Sequence, residues 1–588
     1  MCCRMLVCLF GLTFAAPAQL SVDQKVFDFQ NLAALYAKRY APYEWKRDAL
    51  GFDMMKLEPW LQRVRASRDD LEFFEVCAEY VASLQDTHTS FRMPGSLVAD
   101  LGFSADIYDG KVLVEQVNRR LLPRDQYPIE TGDELVSVDG RSVEQLIAQF
   151  SRYRTQGNPR ATMRIAADQI VFRTQLFNPR AADLGETAQL VIRHSSGETA
   201  TYALAWQKSG NPATRIGPVP MPSFATPAPI RGLTPETFDF LKPFREMWNW
   251  SVDPGEPLLQ GTTWSEELEQ DMPRRYVLGY GARNPVFLMP ENFRSRLGRS
   301  ARDFHYSGTY EAEGLRIGYL RIPNFAPPSP ALGQPSAVEE LETEVRYFQE
   351  NTDGLVVDVM RNTGGGCYML DATRRLIPYT FYFFGEEIRP TLDRINSLTG
   401  LRQIAARANA DQWIIQLYDA YLDQITRAYR ENRGRTGPIP ACTSPIPGRP
   451  FAPASFENEP AAVVYTKPLI VLVDEFSTSA GDIFPAMLQD NKRGPLVGTR
   501  TNGAGGSVSG WPTGFYAEMA ATNTNTLVTR KDFRSIPGYP SSRYIENVGA
   551  HADIQLDIMT AANLLTVGRP FVQGFTRTIV GHIRSQQQ

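Results

Sequence analysis

The chain has 588 residues, more than one domain usually holds, and its 43% hydrophobic and 21% charged composition supplies ample core material. A disordered or low-complexity chain is excluded. Formal charge is −4, from 61 basic and 65 acidic residues, and no basic tract occurs, which argues against nucleic acid as a partner.

Arg4 precedes the apolar run Met5 to Ala15, and Ala16-Pro17-Ala18 forms a small-x-small cleavage site. This reads as a secretory signal peptide over 1–18, cut near Ala18, and predicts a secreted, periplasmic or extracellular protein. No later stretch reaches the roughly 18 apolar residues of a membrane span, so stable membrane insertion is not expected. Cys2, Cys3 and Cys8 would leave with the leader. Cys77, Cys367 and Cys442 remain, enough for one disulfide whose pairing stays open, without metal-ligand spacing.

Residues 19–95 form an N-terminal helical region. Phe27, Leu32, Leu35 and Tyr36, and again Leu71, Phe74, Val76 and Tyr80, recur at helical intervals. It ends in Leu84-Gln-Asp-Thr-His-Thr-Ser-Phe91, where His88 stands among hydroxyls at a helix end. From 96 to 207 the pattern is strands: Lys111–Val117 alternates, and Gln189–Arg193, the Ser196-Gly197 turn and Ala200–Ala205 read as a hairpin. Residues 208–302 are proline-rich, either a linker that wraps its neighbours or a segment lying across an active site. From 303 to 588 strands and helices alternate, the mark of an α/β core, with a helical insertion near Arg394 to Glu431.

Within that core, Leu469-Ile-Val-Leu-Val reads as a strand buried on both faces, and Ile483, Phe484, Met487 and Leu488 as the apolar face of a helix. Between them lies Ser477-Thr478-Ser479-Ala480-Gly481. A serine at a strand-to-helix turn sits where backbone N–H groups point outward and the helix end is electropositive, which suits a nucleophile whose attack creates an oxyanion. The plainer alternative makes Ser477 or Thr478 an N-cap. Upstream, the buried strand Gly354–Met360 runs into Arg361-Asn-Thr-Gly-Gly-Gly-Cys367, whose spacing is wrong for a phosphate loop but fits a tight turn with exposed amides.

Two resemblances follow. Gly132-Asp133 followed by Val138-Asp139-Gly140 and Val143 resembles a PDZ domain. Leu101-Gly102-Phe103 resembles that family's carboxylate-binding loop, with Asp100 in place of the usual first glycine, and so implies a peptide-binding site at these three residues. The order PDZ-like module, D-V-M-R-N-T-G-G-G, V-L-V-D-E-F-S-T-S-A-G-D and V-G-T-R-T-N-G-A-G-G resembles the C-terminal-processing peptidase family and implies its α/β ClpP/crotonase-like catalytic core. In that family the middle serine of S-x-S-x-x-[ED] is the nucleophile, implying Ser479. The oxyanion hole is implied at the amides of Ala480 and Gly365, with Gly364 as the fallback.

The better-known branch places a lysine base 25 residues after the serine, but here that residue is Ala504. The tricorn-like branch uses an upstream histidine and a downstream glutamate instead. Asp86-Thr-His-Thr-Ser90 and Tyr544-Ile-Glu-Asn-Val-Gly549 resemble those segments and imply His88 as base and Glu546 as the group that orients it. His551 is the rival base. A histidine base predicts an acid limb near its unperturbed pKa of about 6.5, raised by Glu546.

The reading is a secreted serine endopeptidase that works through an acyl-enzyme, without metal or cofactor. Polypeptides are the expected partners, with a homodimer left open. The alternative is a catalytically inactive, PDZ-like peptide-binding protein.

Overall fold

The computed structural model describes residues 19–218, 239–251, 281–330, 334–446 and 448–587. The leader and much of the proline-rich stretch lie outside them.

Helices Val22–Arg39, Tyr43–Leu50, Glu58–Ala66 and Asp70–Ala82 build the N-terminal region. Ser21 starts the first with a capping box to Gln24, and Asp69 caps the last through the Glu72 amide. These helices pack on the far end of the chain. Asp28 accepts from the amides of Phe515, Tyr516 and Ala517, Tyr36 donates to the Thr522 carbonyl (2.8 Å), and Trp45 Nε1 donates to the Glu546 carbonyl (3.0 Å). A three-stranded sheet of Phe91–Arg92, Ala520–Thr524 and Val508–Pro512 completes the join. Together these contacts bring the His88 loop to the α/β part of the molecule.

The PDZ-like unit is an antiparallel sheet in the order Phe103–Tyr108, Lys111–Val117, Glu134–Val138, Thr187–Arg193, Thr199–Ala205. The long insertion after Gln145 is accounted for by helix Pro159–Val171, started by Asn158 with proline at its first position, and by the turn that follows it.

The core is a seven-stranded mixed sheet: Arg294–Leu297, Tyr306–Ala312, Leu315–Arg321, Gly354–Asp358, Leu469–Val473, Leu496–Gly498, Ile554–Gln555. Its first two pairings are antiparallel and the rest parallel. Leu469–Val473 lies at full burial between Gly354–Asp358 and Leu496–Gly498, as a continuous apolar run requires. The glycine motif and the serine motif therefore leave adjacent parallel strands at the same end of the sheet, where sites of α/β proteins form. The insertion consists of helices Leu392–Arg407 and Gln412–Arg430.

Cys367 pairs with Cys442, and Cys77 is buried and free. The bond joins the end of the glycine motif to the segment after Ile439–Pro440 across 75 residues of sequence. Replacing both cysteines with serine is expected to lower unfolding free energy by roughly 2–4 kcal/mol, read by denaturant titration. Wild-type stability would contradict it.

Candidate active site

Ser479 occupies the turn between strand Leu469–Val473 and helix Ala480–Asp490 with φ 64° and ψ −117°. A non-glycine residue at positive φ is strained, and the surroundings hold it there. Its N–H donates to Asp482 Oδ2 (2.7 Å), while the same carboxylate accepts from the amides of Gly503 (2.7 Å) and Ala504 (3.1 Å). Asp482 thus clamps the serine turn to the glycine-rich loop. Burial nevertheless pushes its pKa up to about 6 against those hydrogen bonds.

The alternative caps are otherwise engaged. Ser477 Oγ donates to the Val359 carbonyl (2.8 Å) and Thr478 Oγ1 to the Phe476 carbonyl (3.0 Å). Ser479 is left facing the glycine motif. Gly364 and Gly365 have φ of 86° and 147°, and a Cβ on Gly364 would overlap the Trp250 carbonyl oxygen. That Cβ would also stand 2.8 Å from Ser479 Cβ and 3.0 Å from the Ala480 nitrogen, so only glycine leaves this space open. The Gly364 amide donates to Asn362 Oδ1 (2.8 Å), which leaves Gly365 as the candidate donor on this side.

The space in front of Ser479 is filled by the chain itself. Trp250–Ser251 pairs antiparallel with Gly364–Gly365, Trp250 opposite Gly365, and Ser479 Oγ donates its proton to the Trp250 carbonyl. Of the two open readings of 208–302, this part lies across the site.

His88 is brought near by its neighbours. Thr87 Oγ1 donates to Asn502 Oδ1 and accepts from the Gly157 amide, and the Asn502 amide donates to the Ser477 carbonyl (3.0 Å). Asp86 accepts from the His88 amide (2.9 Å), Tyr40 (2.9 Å) and Thr524 (2.8 Å). Both ring nitrogens of His88 are buried and without a hydrogen bond. Burial pushes its pKa down to about 4, against the pull of Asp86 and with the help of Lys46. This lies below the expected value of about 6.5 or higher: burial lowers it, and Glu546 makes no hydrogen bond to the imidazole that would raise it. Its carboxylate pairs with Lys46 Nζ and accepts from the Gly505 amide (2.9 Å). Burial and the nearby Asp86 raise the Glu546 pKa in spite of Lys46.

Sequence reasoning missed Lys46, whose ammonium also reaches Asn547 Oδ1 (2.7 Å) and the Gln85 carbonyl (3.1 Å). A lysine with wholly buried charge implies a partner, but no local pattern named it. Ala504 is fully buried, so the position of the absent lysine is closed. His194 and His305 are each held by a carboxylate and a tyrosine, and His551 lies among Arg500, Arg530 and Arg534. In the PDZ-like unit the Leu101 amide donates to the Val171 carbonyl (3.1 Å) and the Gly102 amide to Asp100 Oδ1 (2.5 Å). Phe103 is paired with Val117. A peptide carboxylate would have to displace Asp100 from that loop.

Peptidase family S41 matches residues 316–554, and a PDZ domain matches 97–216. A Chlamydia muridarum protein is 28% identical over 519 residues, covering 82% of this chain and 81% of its own length. A Chlamydia trachomatis protein is 24% identical over 592 residues, 94% of this chain and 92% of its own. In fold, the crystal structure of mature CPAF is similar with a TM-score of 0.72 at 20% identity, covering 96% of this chain and 99% of that one. The complex of mature CPAF with lactacystin gives 0.71 at 19%, with the same coverage.

Proposed function

We propose that this chain, whose residues 316–554 are a serine-type peptidase domain of family S41, cuts polypeptides internally through an acyl-enzyme on Ser479. One observation carries the reading: a peptide carbonyl, that of Trp250, already sits on the Ser479 hydroxyl, in a strand paired with the glycine motif. An extended substrate that adds itself to the same edge would present its scissile carbonyl there. The amides of Ala480 and Gly365 are the proposed oxyanion donors, replacing the charge stabilisation that water would give.

In this mechanism His88 takes the Ser479 proton and returns it to the leaving amine. Glu546, turning from Lys46, holds the imidazole tautomer and stabilises its charged form. His88 supports the role because its two buried ring nitrogens lack partners, a costly state that bonds to Ser479 and Glu546 would relieve. Until then Glu546 rests against Lys46. In the arrangement described, Ser479 donates to Trp250 and not to His88, so the resting chain is held short of attack. Export through the leader and assembly as a homodimer remain part of the proposal. No helix among the described residues is long and apolar enough to cross a membrane.

The test is digestion of an unfolded protein by the full chain, beside Trp250→Gly. Cleavage that requires Ser479 and is faster in Trp250→Gly is expected; none in either protein would favour a silent peptide-binding protein. Lys492, the nearest lysine after the serine, stands exposed at the far end of the nucleophile helix, roughly 20 Å along its axis. Lys492→Ala is expected to keep at least half of the activity; complete loss with normal folding would revive a serine–lysine mechanism.

A further inference from the structure

Trp250 does more than cover the serine. The residue whose carbonyl stands at the nucleophile occupies the position of the residue before the cut bond, and its side chain marks the pocket that would read that residue. The Trp250 indole is wholly buried, edge-on to Phe384 with ring centroids 5.0 Å apart. Its Nε1 is buried without a hydrogen bond, and so are both carboxylate oxygens of Glu386. The two groups neighbour one another: the Glu386 carboxyl lies within the influence of the indole N–H, the Thr526 hydroxyl and the Arg394 guanidinium without a completed hydrogen bond to any of them. An indole offers a donor alone, and a carboxyl group offers an acceptor oxygen in either protonation state, so each is the partner the other lacks.

Resting on the reading of Ser479 as nucleophile, we propose that this pocket is the primary specificity pocket and that Glu386 selects a large aromatic residue bearing a ring N–H, tryptophan first, before the cut bond. The helical insertion gains a purpose, since Arg394 comes from its helix Leu392–Arg407 and Tyr421, whose ionisation Glu386 opposes, from Gln412–Arg430. Arg394 is half-buried, with Nη1 itself buried and unbonded. Its positive charge acts on Glu386 and disfavours a lysine or arginine side chain in the pocket. Burial raises the Glu386 pKa to about 8, so the carboxyl is largely protonated near neutral pH and offers its carbonyl oxygen to a donor. A leucine or phenylalanine would fill the volume and leave Glu386 without its donor.

The experiment uses full-length protein and matched peptides with tryptophan, phenylalanine, leucine or arginine before the cut bond, on wild type, Glu386→Gln and Glu386→Leu. Tryptophan is expected to lead leucine and arginine by about tenfold or more in kcat/KM. Glu386→Leu should remove that lead chiefly through KM, with phenylalanine altered less than about threefold, and Glu386→Gln should keep part of it because an amide oxygen still accepts. Equal losses on all four peptides, or arginine as the best substrate, would overturn the assignment. A second readout needs no turnover: in Ser479→Ala protein, Glu386→Leu should speed amide exchange of the 242–251 segment, and unchanged exchange would count against the pocket. If no peptide is cut in a Ser479-dependent way, the nucleophile reading fails and the specificity role falls with it. The exchange measurement still decides whether Glu386 holds the indole.

Discussion

Ser479→Ala is expected to lower peptide-bond hydrolysis by about 10⁴-fold or more, the scale on which removal of a nucleophile acts. Folding should be little changed. The substitution deletes one hydroxyl whose described partner is the Trp250 carbonyl, and alanine meets the same backbone demand at φ 64°. Asp482 keeps its three amide donors, from residues 479, 503 and 504, because none of them is a side chain. A thermal midpoint within a few degrees of wild type, together with lost cleavage of an unfolded protein, is the expected pair of results. Wild-type turnover in this variant would remove the proposed chemistry.

His88→Ala is expected to cost a comparable factor, and its pH dependence separates the resting arrangement from the working one. Only the neutral imidazole accepts the Ser479 proton. With a pKa of about 4 in the resting chain, His88 is neutral throughout the physiological range, so kcat/KM, which reports the free enzyme, should fall only below about pH 5. In the substrate complex Glu546 is proposed to turn toward His88. A carboxylate there favours the imidazolium and raises the pKa, so the acid limb of kcat should lie at higher pH than that of kcat/KM. Glu546→Gln should bring the two limbs together and slow turnover. Coincident limbs in wild type, or a His88→Ala variant with near-normal rate, would remove Glu546 or His88 from the mechanism.

How far the chain could be read varies with the range of the interactions involved. Strand Leu469–Val473 and helix Ala480–Asp490 were legible because burial on both faces and helical spacing are local patterns, and Ile483, Phe484, Met487 and Leu488 are all fully buried. The helical character of the N-terminal region and of the insertion was legible for the same reason, but not their division into four and two helices. The Cys367–Cys442 bond was one of several open pairings, since connectivity depends on tertiary distance. Lys46 beside Glu546, Asp28 on the amides of 515–517 and Trp250 on Ser479 join residues hundreds of positions apart or lie in irregular segments, where no periodicity records a partner. The titration expected of His88 differs from that of the folded chain. The imidazole was expected to titrate above its unperturbed value of about 6.5, raised by Glu546. Burial without hydrogen-bond partners now dominates, and burial is a property of the assembled fold.

The central claim, that Ser479 is a nucleophile activated by His88, is tested most directly by reaction with a fluorophosphonate and mapping of the adduct by mass spectrometry. Wild type, Trp250→Gly, His88→Ala and Ser479→Ala would be compared at equal concentration. The account predicts one adduct, on Ser479, formed faster in Trp250→Gly, strongly slowed in His88→Ala and absent from Ser479→Ala. An unmodified Ser479 in both wild type and Trp250→Gly, or equal labelling with and without His88, would contradict it.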